Sequence, residues 1–141
     1  MNSENKYNLT NSISNSLIKE VENKYRTDLR QRLLDFAVNT IKLLMKLPNK
    51  KEFDVIRYQL SKSASSIGAN YEESQASSEK EFVQKLRIAL REANESKYWY
   101  KIIERLEILK TEDLKRLIKE SNEISLILGS IVSKMHKKLN Q

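Results

Sequence analysis

The sequence contains no cysteine. Disulfide bonds and thiolate chemistry are therefore excluded. Histidine occurs once, as His136, so the paired Glu-x-x-His elements of helical di-metal sites are missing, and no metal or other cofactor is expected. Two glycines and one proline are too few turn signals for a fold of many strands. No apolar run approaches the roughly 20 residues that cross a bilayer, and the opening MNSENKYNLTNS lacks the apolar stretch of a signal peptide. A cytoplasmic protein without a membrane role is the expectation.

What is abundant is helix-forming. Leu, Lys, Glu, Ala and Arg dominate a chain of 141 residues, a length suited to one domain with one core. Charged residues are 32% and hydrophobic ones 39%, as in a helical domain with a solvated exterior. The net charge is +7, which favours polyanionic partners.

Apolar residues recur at helical spacing. Leu29, Leu33, Phe36, Thr40, Leu43 and Leu47 form a first seam, with Leu34, Val38, Ile41 and Met45 on an adjacent face. A helix apolar over two stripes is expected to be heavily buried. Pro48 stops it. Asn49, with Glu52 three residues later, reads as the cap of a second helix, whose seam is Ile56, Leu60, Ser63, Ile67, Asn70 and Ser74. Ser78 with Glu81 opens a third, with the seam Phe82, Leu86, Ala89, Ala93, Ser96, Tyr100 and Ile103. Thr111 caps a fourth, followed by Glu112 and Asp113 at the positive end of its dipole. Its seam is Leu114, Leu117, Ser121, Ile124, Leu128, Ile131 and Met135. Short links force neighbouring helices antiparallel. The expected fold is an all-α, up-down-up-down four-helix bundle over residues 27–141. Residues 1–26 read as an N-terminal arm, either disordered or weakly helical through Ile13, Leu17, Val21 and Tyr25.

The stretch SIGANYEES, residues 66–74, interrupts the apolar pattern. Ser61, Ala64, Ser65, Gly68 and Ala69 lie near one helix face, where small side chains let a neighbouring helix approach. Asn70 on the seam is expected to be buried and hydrogen-bonded, fixing register. Glu73 lies near that seam, and Glu92 and Glu95 flank the third. Glu73 with Glu95 as the acid–base pair of a hydrolase or nuclease is the enzymatic alternative. Polar residues that hold the bundle or a subunit contact, Ser66, Asn70, Glu73 and Glu95 among them, are the reading adopted. KYWYK, residues 97–101, mixes bases with aromatics. Tyr100 falls on the seam, and Tyr98 and Trp99 read as packing or oligomer contacts rather than base-stacking residues.

QLSKSASSIGANYEES followed by EFVQKLRIALREANES resembles the 23S rRNA intervening-sequence proteins. Gln59, Ser66, Ile67, Asn70, Glu73, Phe82, Ile88, Ala89 and Glu95 match that family's pattern. Tyr71, Glu72, Ser74, Arg91 and Glu92 depart from it. The likeness runs over roughly residues 30–110. It implies a four-helix bundle assembled as a pentameric ring, with no established enzyme activity. It also implies kinship with the accessory variability protein of diversity-generating retroelements, a basic bundle that works with RNA and a reverse transcriptase.

The first and fourth helices are the basic ones. Arg30, Arg32 and Lys42 on the first, with Lys115, Arg116, Lys119, Lys134, Lys137 and Lys138 on the fourth, form the candidate surface for RNA or DNA. The resulting expectation is a non-enzymatic, homo-oligomeric accessory protein that binds nucleic acid, RNA preferred, with a reverse transcriptase as a possible partner. The alternative is a protein scaffold or adaptor whose basic face docks an acidic protein.

Overall fold

The computed structural model describes residues 15–17, 19–20 and 28–140. Four long helices make up the bundle: α1 (Leu29–Leu44), α2 (Asp54–Gln75), α3 (Glu79–Leu106) and α4 (Glu112–Leu139). Residues 15–17 and 19–20 are also helical, and Leu17 is fully buried. Ile13, Val21 and Tyr25, the other apolar positions of the arm, lie outside the described residues.

The helix ends follow local chemistry. Asp28 caps α1 by accepting from the Gln31 amide at 3.4 Å. Thr111 caps α4 by accepting from the Leu114 amide at 3.2 Å. Ser78 occupies the cap position of α3 in extended conformation, but its side chain makes no capping bond. The expected cap at Asn49 is not formed. Residues 51–53 make a 3-10 turn first, and α2 begins at Asp54. The bend at Leu47 and Pro48 leaves carbonyls that α1 cannot use. Arg57, held at 3.0 Å by Asp54, reaches the carbonyls of Leu47 at 3.1 Å and Pro48 at 2.5 Å. That anchor sets the start of α2 several residues later than the capping-box pattern implied.

Cross-helix pairs give the directions. Leu33 faces Gly68, and Arg30 pairs with Glu72 at 2.8 Å, so α1 and α2 run antiparallel. Ser63 with Ser96 and Glu73 with Lys85 align α2 and α3 in the same sense. Asn94 with Ser125 joins α3 to α4, while Arg32 with Glu120 and Lys46 with Asp113 join α4 back to α1. The diagonal pair Thr40 and Tyr100 links α1 to α3, which run parallel.

The seams read from spacing are the core almost without exception. Every named seam residue of α1, α3 and α4 is buried. On α2 one position differs. Tyr71, not Asn70, is buried after Ile67. Both continue to Ser74, by three-four or by four-three spacing, and the larger apolar ring takes the interior. Asn70 is half-buried at the edge, where its Nδ2 donates to the Ser66 carbonyl at 2.8 Å. It bonds its own helix rather than a neighbour, so the register role expected of it is not seen. The second apolar face of α1 is not buried either. Leu34, Val38, Ile41 and Met45 are all exposed, Met45 at 81%. Within one chain, α1 has neighbours only on its seam side.

Among the described residues, no helix is long and apolar enough to cross a membrane.

Candidate nucleic-acid interface

Residues three and four apart on a helix share a face. This places Lys42 of α1 one turn before Lys46, which lies just past the helix end, and on α4 it places Arg116 with Lys119. The two sets face each other across a groove of about 690 Å³ between the helices, with Asn39 on its α1 wall. Asp113, Glu120 and Glu123 also line it. Five cations, counting Arg32, stand against these three carboxylates. The groove keeps a positive surplus after every pairing is made.

The cations differ in what holds them. Arg32 is the least available to an outside anion. Its Nε donates to both carboxylate oxygens of Glu120, at 2.9 and 3.0 Å, and its guanidinium also meets Glu123. The hydrogen bond with Glu120 raises its pKa further, so it stays charged and clamped between α1 and α4. Lys46 bonds Asp113 at 2.9 Å, and Arg116 pairs with the same carboxylate. These two hydrogen bonds, Lys46 first, hold Asp113 below the usual carboxylate range. Lys42 and Lys119 form no ion pair among the described residues and look into the groove.

Outside the groove, Lys115 pairs with Glu112 at 3.3 Å, Arg30 with Glu72 at 2.8 Å and Lys134 with Glu20 at 3.1 Å. Exposed pairs of this kind contribute about 0–1 kcal/mol, so they do not withhold those cations from a phosphate. Lys137 and Lys138 are exposed and unpaired among the described residues. Lys119 and Lys137 are eighteen residues apart, five helical turns, and so lie on one line along α4, roughly 27 Å apart. The groove and this line are continuous through Lys119.

The residues singled out on α2 and α3 do not converge. Glu73 is held by Lys85 at 2.7 Å. Glu95 lies ten residues beyond Lys85, roughly 15 Å along the axis, where the Trp99 indole N–H approaches it at 3.4 Å. The two carboxylates thus share no reacting centre. The raised carboxyl of this face is Glu92, pushed up by burial and then by the charge of Glu95. Tyr98 is 62% exposed and meets Trp99 edge-on, with ring centroids 6.0 Å apart. Ser66 is half-buried, its carbonyl taken by Asn70. Among the described residues, no group of three or more His, Asp or Glu side chains is placed to hold a metal ion.

Sequence reasoning missed Lys46 as a groove residue. Its spacing of four from Lys42 was the available signal. It also read Asp113 only as a dipole partner, whereas that carboxylate bridges Lys46, in the turn after α1, and Arg116 of α4.

Residues 25–130 match the family model described as 23S rRNA-intervening sequence protein. Among solved structures, the chain is similar to the crystal structure of a protein of unknown function from the S23 ribosomal protein family of Bacteroides thetaiotaomicron. The two are 36% identical, with 74% of this chain and 98% of that chain covered and a TM-score of 0.68. No curated protein matches.

Proposed function

The chain belongs to the 23S rRNA-intervening sequence protein family, and on that footing we propose that it is a non-enzymatic, self-associating accessory protein that binds nucleic acid, RNA by preference. The observation that carries the proposal is the placement of Lys42 and Lys119, two lysines without an ion-pair partner among the described residues, across one positive groove. Lysines on rigid helices meet phosphates as point charges and carry no base information. Binding is therefore expected to show little sequence preference. The preference for RNA rests on the family's relation to ribosomal RNA.

The test is a titration of labelled RNA and DNA of matched sequence at several salt concentrations. Affinity should fall linearly with salt on logarithmic axes, with a slope proportional to the phosphates neutralised. RNA should bind tighter than DNA at each salt. Lys42→Glu with Lys119→Glu should weaken binding and flatten the slope while leaving helicity unchanged. Equal affinity for RNA and DNA removes the preference. Absence of binding to either at low salt removes the nucleic-acid reading and leaves the protein-adaptor alternative in its place.

A further inference from the structure

The groove between α1 and α4 already clasps one oxyanion of its own. Asp113 accepts from Lys46 at 2.9 Å and also pairs with Arg116, so a single carboxylate bridges two cations. Lys42 stands four residues before Lys46, and Lys119 three residues after Arg116. On antiparallel helices both steps run the same way along the groove, by roughly 6 and 4.5 Å. They place a second pair of cations one turn along, one on each wall. Glu120 and Glu123, the other two acids of the lining, are both engaged by Arg32. Among the described residues, no carboxylate of the groove is left for Lys42 and Lys119.

Charge and size define what fits there. Five cations less three carboxylates leave two positive charges, those of Lys42 and Lys119. A phosphate inside a strand carries about one negative charge. A phosphomonoester carries about 1.5 to 2 at neutral pH. The volume of about 690 Å³ falls within the roughly 300–1,000 Å³ of small-ligand sites, the scale of a nucleotide rather than of a duplex. Leu43 and Leu117, both buried, give the groove an apolar base. The Asn39 amide is exposed on its α1 wall, able to donate to or accept from a ribose or a base edge. We propose that Lys42 and Lys119 together hold one phosphomonoester group of a nucleotide, carried by the phosphorylated end of an RNA strand or by a free nucleotide. The proposal rests on the nucleic-acid reading and says which part of the strand enters the groove.

The test compares one oligoribonucleotide in three forms: with a 5′-phosphate, with a 3′-phosphate, and with hydroxyls at both ends. A phosphorylated form should bind about tenfold tighter than the hydroxyl form, the scale of one added charge-assisted hydrogen bond. The advantage should shrink as pH falls below about 6, where the monoester takes up its second proton. Among the described residues no histidine lines the groove, so that change belongs to the ligand. Lys42→Gln with Lys119→Gln should bring the three forms to equal affinity. Lys137→Gln with Lys138→Gln should weaken all three alike. All four lysines are exposed, and circular dichroism checks that helicity is kept.

Uridine 5′-monophosphate, titrated alone by calorimetry, separates the two sources. Saturable binding of one per chain, lost in the Lys42 and Lys119 variant, means that a free nucleotide fits. Silence beside a preference for phosphorylated RNA means that the strand end is required. Equal affinity for all three RNA forms with no binding of the mononucleotide overturns the site and leaves the nucleic-acid reading standing. A preference that survives in the Lys42 and Lys119 variant also overturns it. Absence of any RNA binding overturns the nucleic-acid reading, and the mononucleotide titration then decides the site alone.

Discussion

Thr40 and Tyr100 share a hydrogen bond of 2.6 Å at the centre of the bundle, across its diagonal. Both side chains are buried. Burial pushes the phenol of Tyr100 well above its ordinary pKa, more than the Thr40 hydroxyl lowers it. The pair is neutral and mutually satisfied. Removing either partner leaves the other unpaired in an apolar interior.

Tyr100→Phe should therefore destabilise by about 1–3 kcal/mol, the cost of a buried group left without its partner. Thr40→Val with Tyr100→Phe should cost less than the two single changes added together, since neither hydroxyl is then orphaned. Urea unfolding of the four proteins measures this. Strict additivity would show that the bond carries no coupling.

Gly68 faces Leu33 of α1. A methyl group there would stand 3.5 Å from Leu33 Cβ, an ordinary contact. Gly68→Ala should thus stabilise, by about 0.5–1 kcal/mol, through helix propensity. Gly68→Leu has no such room and should destabilise by about 1–3 kcal/mol. A loss of stability on going to alanine would mean that the approach is tighter than this distance.

The Arg32 clamp should behave as a unit with Glu120. Arg32→Ala is expected to cost about 1–3 kcal/mol, the scale of hydrogen bonds to charged groups, reduced because Glu123 is partly exposed. Against Glu120→Gln the effects should be less than additive. Thermal unfolding of the double-mutant cycle at low and high salt is the measurement. The coupling should survive salt better than that of the exposed Lys115 and Glu112.

Glu92 and Asp113 should give opposite pH signatures. The folded pKa of Glu92 is raised, so folding is penalised once the unfolded carboxyl ionises, as pH climbs past its ordinary value near 4.5. Glu92→Gln should then stabilise at pH 7 and change nothing below that value. Asp113 is depressed. Its contribution is present above the ordinary value of 3.8 and lost as pH falls through the lower, folded one. Asp113→Asn should accordingly matter at pH 7 and not at very low pH. Unfolding curves across the acid range separate the two.

Spacing alone revealed most of this fold. Three of four seams are buried as read, because a three-four pattern of apolar residues has one way to hide. The α2 seam failed at Asn70 because spacing cannot choose between neighbours when both continue the pattern, and size and polarity decided for Tyr71. The Asn49 cap failed because the Arg57 anchor depends on where the chain turns, which no local pattern records. The candidate interface was half legible. Lys42 and Lys119 could be assigned to helices from the sequence. Arg32 could not be seen as spent on Glu120, because that pairing spans 88 positions.

Three polar links join α3 to its neighbours, two of them buried and the third, from exposed Asn94, at the edge of the core. Tyr100 reaches Thr40 of α1, Ser96 reaches Ser63 of α2, and Asn94 accepts from Ser125 of α4. They fall within seven consecutive residues, two turns of α3. Any opening that frees α1, α2 or α4 by itself breaks only one of them, whereas freeing α3 breaks all three together. Backbone amides near residues 94–100 should then exchange with solvent only through unfolding of the whole domain, while those of α1 escape earlier through partial openings. The chain would thus come apart around α3 as its last ordered segment.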